Sequence, residues 1–306
     1  MEALSYILHK NIDKAKWDLK LSKCSNKLIY ATSLYLDAMA GTWDAIIYGD
    51  YEILMPLPKR KKFGFHYMYT PAFVQQLGAF YCKIPHQTFF EDAFNLITAK
   101  ANLVEYAMNY SNHFHINSAK QYFRNNFTLS LQASHSLLVS KQLPAFKKSM
   151  RRLQKHPFKY LESYSFIETI LLYKQLYQSK QKGLKNRDYA NFTALVKLLA
   201  KKHQVVCRQV VDTDNKLLGA ALLLKDDVRL YNLIACVTPL GRQLEANYFL
   251  YHNIIKEFSN QNLVLDFEGS DEEGIANFYK KMGPENEPYP FLKINNLPKI
   301  VKLLKR

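Results

Sequence analysis

The chain has 306 residues, 48% apolar and 14% aromatic, and its 42 Lys and Arg against 26 Asp and Glu give a formal charge of +16. That composition excludes a disordered or fibrous chain, and 10 Gly and 11 Pro leave little room for a collagenous or low-complexity region. The length allows two domains, and the charge favours an anionic partner (nucleic acid, a phosphorylated cofactor, an anionic precursor or an acidic membrane surface), against the plainer reading of a solvated basic face.

In chain order, Leu28–Leu36 is apolar with β-branched and aromatic residues and reads as a strand. Ala45–Tyr48 and Tyr51–Met55 flank Gly49-Asp50, which predicts a two-residue type II′ hairpin. Pro56-Leu57-Pro58 is expected to stop the second arm, because proline cannot donate to a sheet ladder. After a basic loop, Lys59–Lys62, the alternation in Phe63–Tyr69 predicts a half-buried strand, and Gln75, Gln76 and Gly78 fall in a loop after Pro71. Gln87–Thr98 carries Phe89, Phe90, Phe94 and Ile97 at helical spacing; Leu103–Met108 and Phe127–Leu131 read as strands.

Helical pattern then dominates. Leu143–His156 has a stripe of Leu143, Phe146, Met150 and Leu153 opposite Lys147, Lys148, Arg151, Arg152 and Lys155, and ends before Pro157. Phe158–Leu161 reads as the first strand of a second domain, followed by helices Phe166–Gln181 and Asp188–Lys202. Three strands, Val205–Val211, Leu217–Leu224 and Arg229–Val237, are joined by turn-forming residues. A helix over Gly241–Phe258, a strand Leu263–Phe267, a helix Asp271–Met282 stopped at Gly283, a strand Tyr289–Ile294 and a basic tail complete the order.

Cys24, Cys82, Cys207 and Cys236 lie far apart beside apolar neighbours, which suits buried free thiols in a reducing compartment, and neither they nor the nine His show metal-ligand spacing. No metal is expected. The stretch MEALSYILHKNIDKAKW, with Glu2, His9, Lys10, Asp13 and Lys14, lacks a secretory pattern, and no apolar run approaches the ~18 residues of a membrane helix. A cytoplasmic address without a transmembrane segment is the expectation. Phosphate-loop, nucleophile-elbow, zincin and dinucleotide-binding motifs are absent from the sequence.

Strand, two helices, three antiparallel strands, helix, strand, helix, strand is the element order of the GNAT acyltransferase fold, and two segments strengthen the likeness. Leu265–Gly283 (LDFEGSDEEGIANFYKKMG) resembles the strand and following helix of that fold, with Ala276, Phe278, Tyr279 and Gly283 in an A-x-x-x-Y-x-x-x-G-like ending. Trp43–Phe80 resembles the first half of bacterial tandem-GNAT proteins, relatives of the Fem-type peptidyltransferases that add amino acids from aminoacyl-tRNA to cell-wall precursors. The resemblance implies an α+β protein of two GNAT-like domains, 1–138 and 139–306, each a mixed, mostly antiparallel sheet flanked by helices. The second would hold a cleft between splayed strands and transfer an acyl or aminoacyl group, from a CoA thioester or aminoacyl-tRNA, to an amine. The first would help bind the acceptor.

The resemblance also assigns roles. Tyr279 would be the acid for the leaving group, since a phenol with pKa near 10 stays protonated at neutral pH; stacking on Phe278 is its plainer role. Asp266 and Glu268 alternate near a strand end and so point to one face, either serving as base, with Glu268 nearer the end; capping by Ser270 and Asp271 with a solvated Glu268 is the alternative. Acyl-CoA users carry a Gly-rich turn whose amides hold the pyrophosphate. Here Val237, Pro239, Gly241 and Arg242 stand at that turn with a single glycine, and Glu245 follows. Two readings stay open: an acyl-CoA site rebuilt with Arg242 as a clamp, or no CoA site. Read from the residues alone, Lys62, Arg151 and Arg152 would hold phosphates or lie on solvated basic faces, Tyr67 and Tyr69 would stack on bases or sugars with one face of the strand given to the core, and Gln75 and Gln76 would touch the ligand. The alternative function is a non-catalytic GNAT-fold module that binds RNA or an anionic precursor through its basic surface.

Overall fold

Strand pairing divides the chain at two places. In the computed structural model, which describes residues 4–181, 183–269 and 271–298, residues 4–124 with 288–298 form one unit and residues 125–287 another. Against an expected single division after residue 138, residues 125–138 go with the second unit and 288–298 with the first. Glu2, Ser270 and the basic tail beyond residue 298, all named from the sequence, lie outside the described residues.

In the first unit, β1 (Leu4–Ile7), β2 (Trp43–Tyr48), β3 (Ile53–Lys62), β4 (Phe65–Tyr69), β6 (Leu103–Ala107), β15 (Tyr289–Asn295) and β7 (Lys120–Arg124) follow one another across the sheet, and β5 (Phe80–Tyr81) pairs with β3. β4 and β6 are parallel and are linked through α3 (Gln87–Lys100), while β15 runs antiparallel to both β6 and β7. Trp17 of α1 (Lys14–Ser22) and Trp43, both fully buried, meet edge to face at 5.0 Å in its core.

Four expectations change here, each for a local reason. Leu28–Leu36 is a 3-10 turn (Ile29–Ala31) and part of α2 (Ser33–Met39), whose cap Thr32 accepts from the Tyr35 amide; buried except at the half-buried Thr32 and Leu34, its apolar run carries no period that separates strand from helix. The hairpin loop has four residues, since Tyr48 pairs with Ile53. β3 continues through both prolines: the Lys59 amide donates to Thr42 on the β2 side, so the alternating prolines turn their missing donors away from β2, before β4 begins to pair. Lys59–Lys62 is therefore strand, not loop, and the turn is Phe63-Gly64.

In the second unit the order is β14 (Glu285–Asn286), β8 (Phe127–Ser130), β13 (Val264–Asp266), β12 (Arg229–Val237), β11 (Leu217–Lys225), β10 (Val205–Val211) and β9 (Lys159–Glu162). All pairs are antiparallel except β12–β13. The helices are α4 (His135–Lys141), α5 (Pro144–Leu153), α6 (Phe166–Tyr177), α7 (Asn186–Ala200), α8 (Pro239–Gln243), α9 (Ala246–Phe258) and α10 (Glu273–Lys280). The single helix expected over Gly241–Phe258 is two, because Glu245 takes a left-handed backbone (φ +54°) between α8 and α9. α5, α9 and α10 bury Phe146, Met150, Leu250, Ile254, Ala276 and Tyr279 in one core, and α6 also packs on β11 and β12. Cys24, Cys207 and Cys236 are buried, whereas Cys82 is exposed; all four are free thiols. The architecture is α+β, two mostly antiparallel sheets flanked by helices.

Candidate functional site

In the second unit, β12 and β13 pair over only three residues, Arg229–Val264, Leu230–Leu265 and Tyr231–Asp266, while β12 runs on to Val237. The strands separate where β12 bulges. β11 pairs Leu224 with Tyr231 and Leu222 with Ile234, so two steps on β11 face three on β12 and the extra residue lies at Asn232–Leu233. A bulge bends its strand and re-aims a side chain. Beyond Asp266 the other strand turns off, with left-handed backbone at Glu268 (φ +56°) and Gly269 (φ +55°).

A buried ion cluster clamps the paired end. Arg229 donates to Asp266 at 2.8 Å and to both oxygens of Glu287 at 2.9 Å, and Asn126 donates to Asp266 at 3.2 Å. The Arg229 and Asp266 side chains are 6% and 1% exposed. Such charges survive burial because each is paired and hydrogen-bonded.

The separated end holds polar groups. Asn232, buried and aimed by the bulge, donates through Nδ2 to the Tyr251 hydroxyl (2.7 Å) and the Tyr279 hydroxyl (3.0 Å), which lie 3.4 Å apart. Its Oδ1 is a buried atom without a hydrogen-bond partner among the described residues. The Tyr279 ring stacks on Phe267 at 4.7 Å. Burial pushes the Tyr279 hydroxyl up to about 12, with the Glu268 carboxylate adding to the rise, while bonds from Tyr251 and Asn232 pull the other way. Burial also raises Tyr251 well above the ordinary phenol value, so both phenols are protonated at neutral pH. Near the end of β12, a cleft of about 440 Å³ is lined by Leu176, Lys180, Val237, Pro239, Arg242 and Gln243. The Val237 amide donates to the Tyr177 hydroxyl at 3.3 Å.

Several residues named from the sequence gather here. Val237 and Arg242 line the cleft, Tyr279 is in the polar cluster, and Glu268, half-buried, acts on the Tyr279 hydroxyl. Others have a different place. Asp266 is a member of the buried ion cluster, accepting from Arg229 at 1% exposure. It also does not alternate with Glu268 along one strand, because β13 ends at Asp266 and Glu268 is left-handed. Gly241 is a packing contact: a β-carbon there would stand 1.9 Å from the Leu218 carbonyl oxygen, and its amide donates to the Thr238 hydroxyl at 3.0 Å. Arg152 is paired with Glu245 at 2.6 Å, and Arg151 is exposed on α5.

Lys62, Tyr67, Tyr69, Gln75 and Gln76 belong to the first unit. Lys62 is exposed, and Tyr67 and Tyr69 are half-buried on β4 with Arg60 over the Tyr69 ring at 4.3 Å. Gln76 is fully buried, accepting from the Tyr110 amide at 2.8 Å and donating to Gln75. Its polarity, and the need for glycine at position 78, have structural causes: a β-carbon at Gly78 would lie 2.4 Å from Asn112 Oδ1.

Sequence reasoning missed Asn232, Tyr251, Tyr177 and Lys180. Asn232 had a visible signal, a lone amide in the otherwise apolar stretch Leu230–Val237. Among the described residues no group of three or more His, Cys, Asp or Glu is placed to hold a metal ion, and no helix is long and apolar enough to cross a membrane.

No family model matches the chain, and no curated protein matches it in sequence. Among solved structures it is similar to FemX, over 99% of this chain and 100% of that one, with a TM-score of 0.67 at 13% identity. It is also similar to the C-terminal domain of a putative lysylphosphatidylglycerol synthetase from Agrobacterium fabrum (TM-score 0.55, 10% identity, 95% of each chain). L-PGS from Bacillus licheniformis is similar at TM-score 0.54 and 9% identity, over 95% of each chain. At these identities the likeness is one of fold, and the fold is the tandem GNAT/Fem-like one.

Proposed function

We propose that the protein transfers an aminoacyl group from aminoacyl-tRNA to an amine in the gap between β12 and β13. The observation that carries this reading is the Asn232–Tyr251–Tyr279 cluster at the unpaired stretch of β12. The amine nitrogen attacks the ester carbonyl carbon, the carbon–oxygen bond to the ribose breaks, and Tyr279 gives its proton to the departing oxygen. Glu268 takes the proton shed by the amine and, after product release, returns it to the Tyr279 phenolate. Thr238 N–H bonds to Leu218 on β11, so alternate amides of β12, Ala235 and Val237, face the gap, where Ala235 N–H suits the developing oxyanion.

CoA fits the turn poorly. Pro239 has no N–H, the Gly241 amide is committed to Thr238, and Gly241 Cα is closed off by Leu218. The cleft offers Lys180 and Arg242 side chains to a phosphate instead, which suits the terminal nucleotides of a tRNA. One structural neighbour, the lysylphosphatidylglycerol synthetase domain, is named for an aminoacylated product, which supports the same class of donor. The first unit, with Tyr67, Tyr69 and Gln75, is the part we assign to the acceptor.

The test is to incubate the protein with bulk tRNA charged with labelled amino acids and a pool of amines, then count label that resists mild alkali, which cleaves esters and spares amides. Tyr279→Phe is expected to lower the rate by about 10²- to 10⁴-fold with an unchanged circular dichroism spectrum, and Glu268→Gln to lower it in the same way. Wild-type rates in both variants remove these roles. Product formed from an acyl-CoA, with calorimetric binding, overturns the choice of donor. The missing amide cradle also favours a second reading, a non-catalytic module holding RNA or an anionic precursor; salt-sensitive RNA binding without transfer is its signature.

A further inference from the structure

In the first unit, Lys59–Lys62 of β3 pair with Phe65–Met68 of β4 around a two-residue turn, Phe63-Gly64, with φ of +51° and +82°. All five residues from Arg60 to Gly64 are exposed. A turn with both φ values positive is built at lowest cost from Asn-Gly, because a bulky side chain strains the left-handed backbone. Phe63 occupies that position with 83% of its surface in water. Neither local conformation nor packing accounts for a phenyl ring there, and residues that break a local rule mark function.

The charge behind the ring has one sign. The sequence holds no acidic residue between Glu52 and Glu91. Lys61 and Lys62 are exposed, with Lys62 Nζ 5.1 Å from the Phe63 ring centre, Arg60 lies over Tyr69, and Lys59 pairs with Asp44 at the base. A lone ring at the end of a narrow basic turn fits entry among lipid headgroups, the ring reaching the acyl boundary while the lysines meet phosphates. Single-stranded nucleic acid asks for rings along a groove on which successive bases stack, and the Tyr69 ring is already covered by Arg60.

We propose that the β3–β4 hairpin docks this protein on an anionic lipid bilayer, with Phe63 as the inserted residue and Arg60, Lys61 and Lys62 as the electrostatic contacts. The proposal stands apart from the transfer reaction and is independent of it.

The test is co-sedimentation of the full chain with vesicles of phosphatidylcholine alone and of phosphatidylcholine with phosphatidylglycerol. Binding is expected only to the second and is lost at high salt. Lys61→Ser with Lys62→Ser is expected to weaken it about 25-fold, roughly fivefold per charge. Phe63→Asn suits the turn better than phenylalanine, so it is expected to melt no lower than wild type and yet bind about tenfold more weakly. Equal binding by Phe63→Asn and wild type, or no binding to the anionic vesicles, overturns the proposal. So does loss of polyuridylate affinity in the lysine variant with vesicle binding intact, which makes the hairpin an RNA contact.

Discussion

Replacing Gly241 by alanine separates two explanations of a glycine that stands at the turn where acyl-CoA users hold a pyrophosphate. In a ligand cradle, the extra methyl blocks the ligand and leaves the fold alone. In this structure it would sit 1.9 Å from the Leu218 carbonyl oxygen and 2.7 Å from its carbon, both backbone atoms that no rotamer change can move. Ordinary contact is about 3.5 Å, so α8 and β11 must part by more than an ångström. The Thr238 amide bond to Leu218 (2.9 Å) and the Gly241 amide bond to the Thr238 hydroxyl would be strained together. Overpacking of this kind costs about 1–3 kcal/mol, and the rigidity of both partners puts Gly241→Ala at about 3 kcal/mol. For a unit the size of residues 125–287 that lowers the melting temperature by roughly 6–12 °C. Differential scanning calorimetry on the full chain reads it directly. A variant that melts with the wild type and loses only donor affinity refutes the packing argument and returns Gly241 to the ligand.

Two further predictions follow from buried charge. Asp266→Asn leaves Arg229 with Glu287 as its remaining carboxylate, so urea unfolding should show a loss of about 3 kcal/mol, while transfer per folded molecule stays as in wild type; unchanged stability with lost turnover would make Asp266 the base. His252 on α9 and His135 on α4 meet edge to face at 4.9 Å; burial depresses both, His252 to about 4, with Lys256 repelling added charge on each. The unfolded chain therefore takes up protons first as pH falls, so the stability held above about pH 6.5 is lost progressively toward pH 4. Melting curves across that range should show a steeper acid decline for wild type than for His252→Gln, and parallel curves would contradict it.

Elements whose cause is local were legible. β10 and β12 occupy the residues their apolar runs and flanking turns indicate, Val205–Val211 and Arg229–Val237, and α3 follows its phenylalanine spacing. Elements whose cause lies across space were not. The prolines of β3 are tolerated only because one side of the strand has no partner at that point. The polarity of Gln76 answers the Tyr110 amide, and the single glycine of the 237–242 turn answers Leu218. Asn232 was visible as an odd residue, but its two phenolic neighbours, 19 and 47 positions away, were not. The alternation that put Asp266 and Glu268 on one face failed because a left-handed residue follows the strand, and no period shows that.

β15 lies between β6 and β7 in the first sheet. A chain made from its N-terminus therefore exposes β6 with one side unpaired, and β7 with nothing to join, throughout synthesis of the second unit. The ladders of β15 with β6 and with β7 form only once residues 289–295 leave the ribosome. The ordinary sequence of vectorial folding, early domain first, is inverted for this sheet. Its closing pairs are also its most distant along the chain, a topology that slows folding and leaves an adhesive strand edge open for the longest part of the molecule's birth.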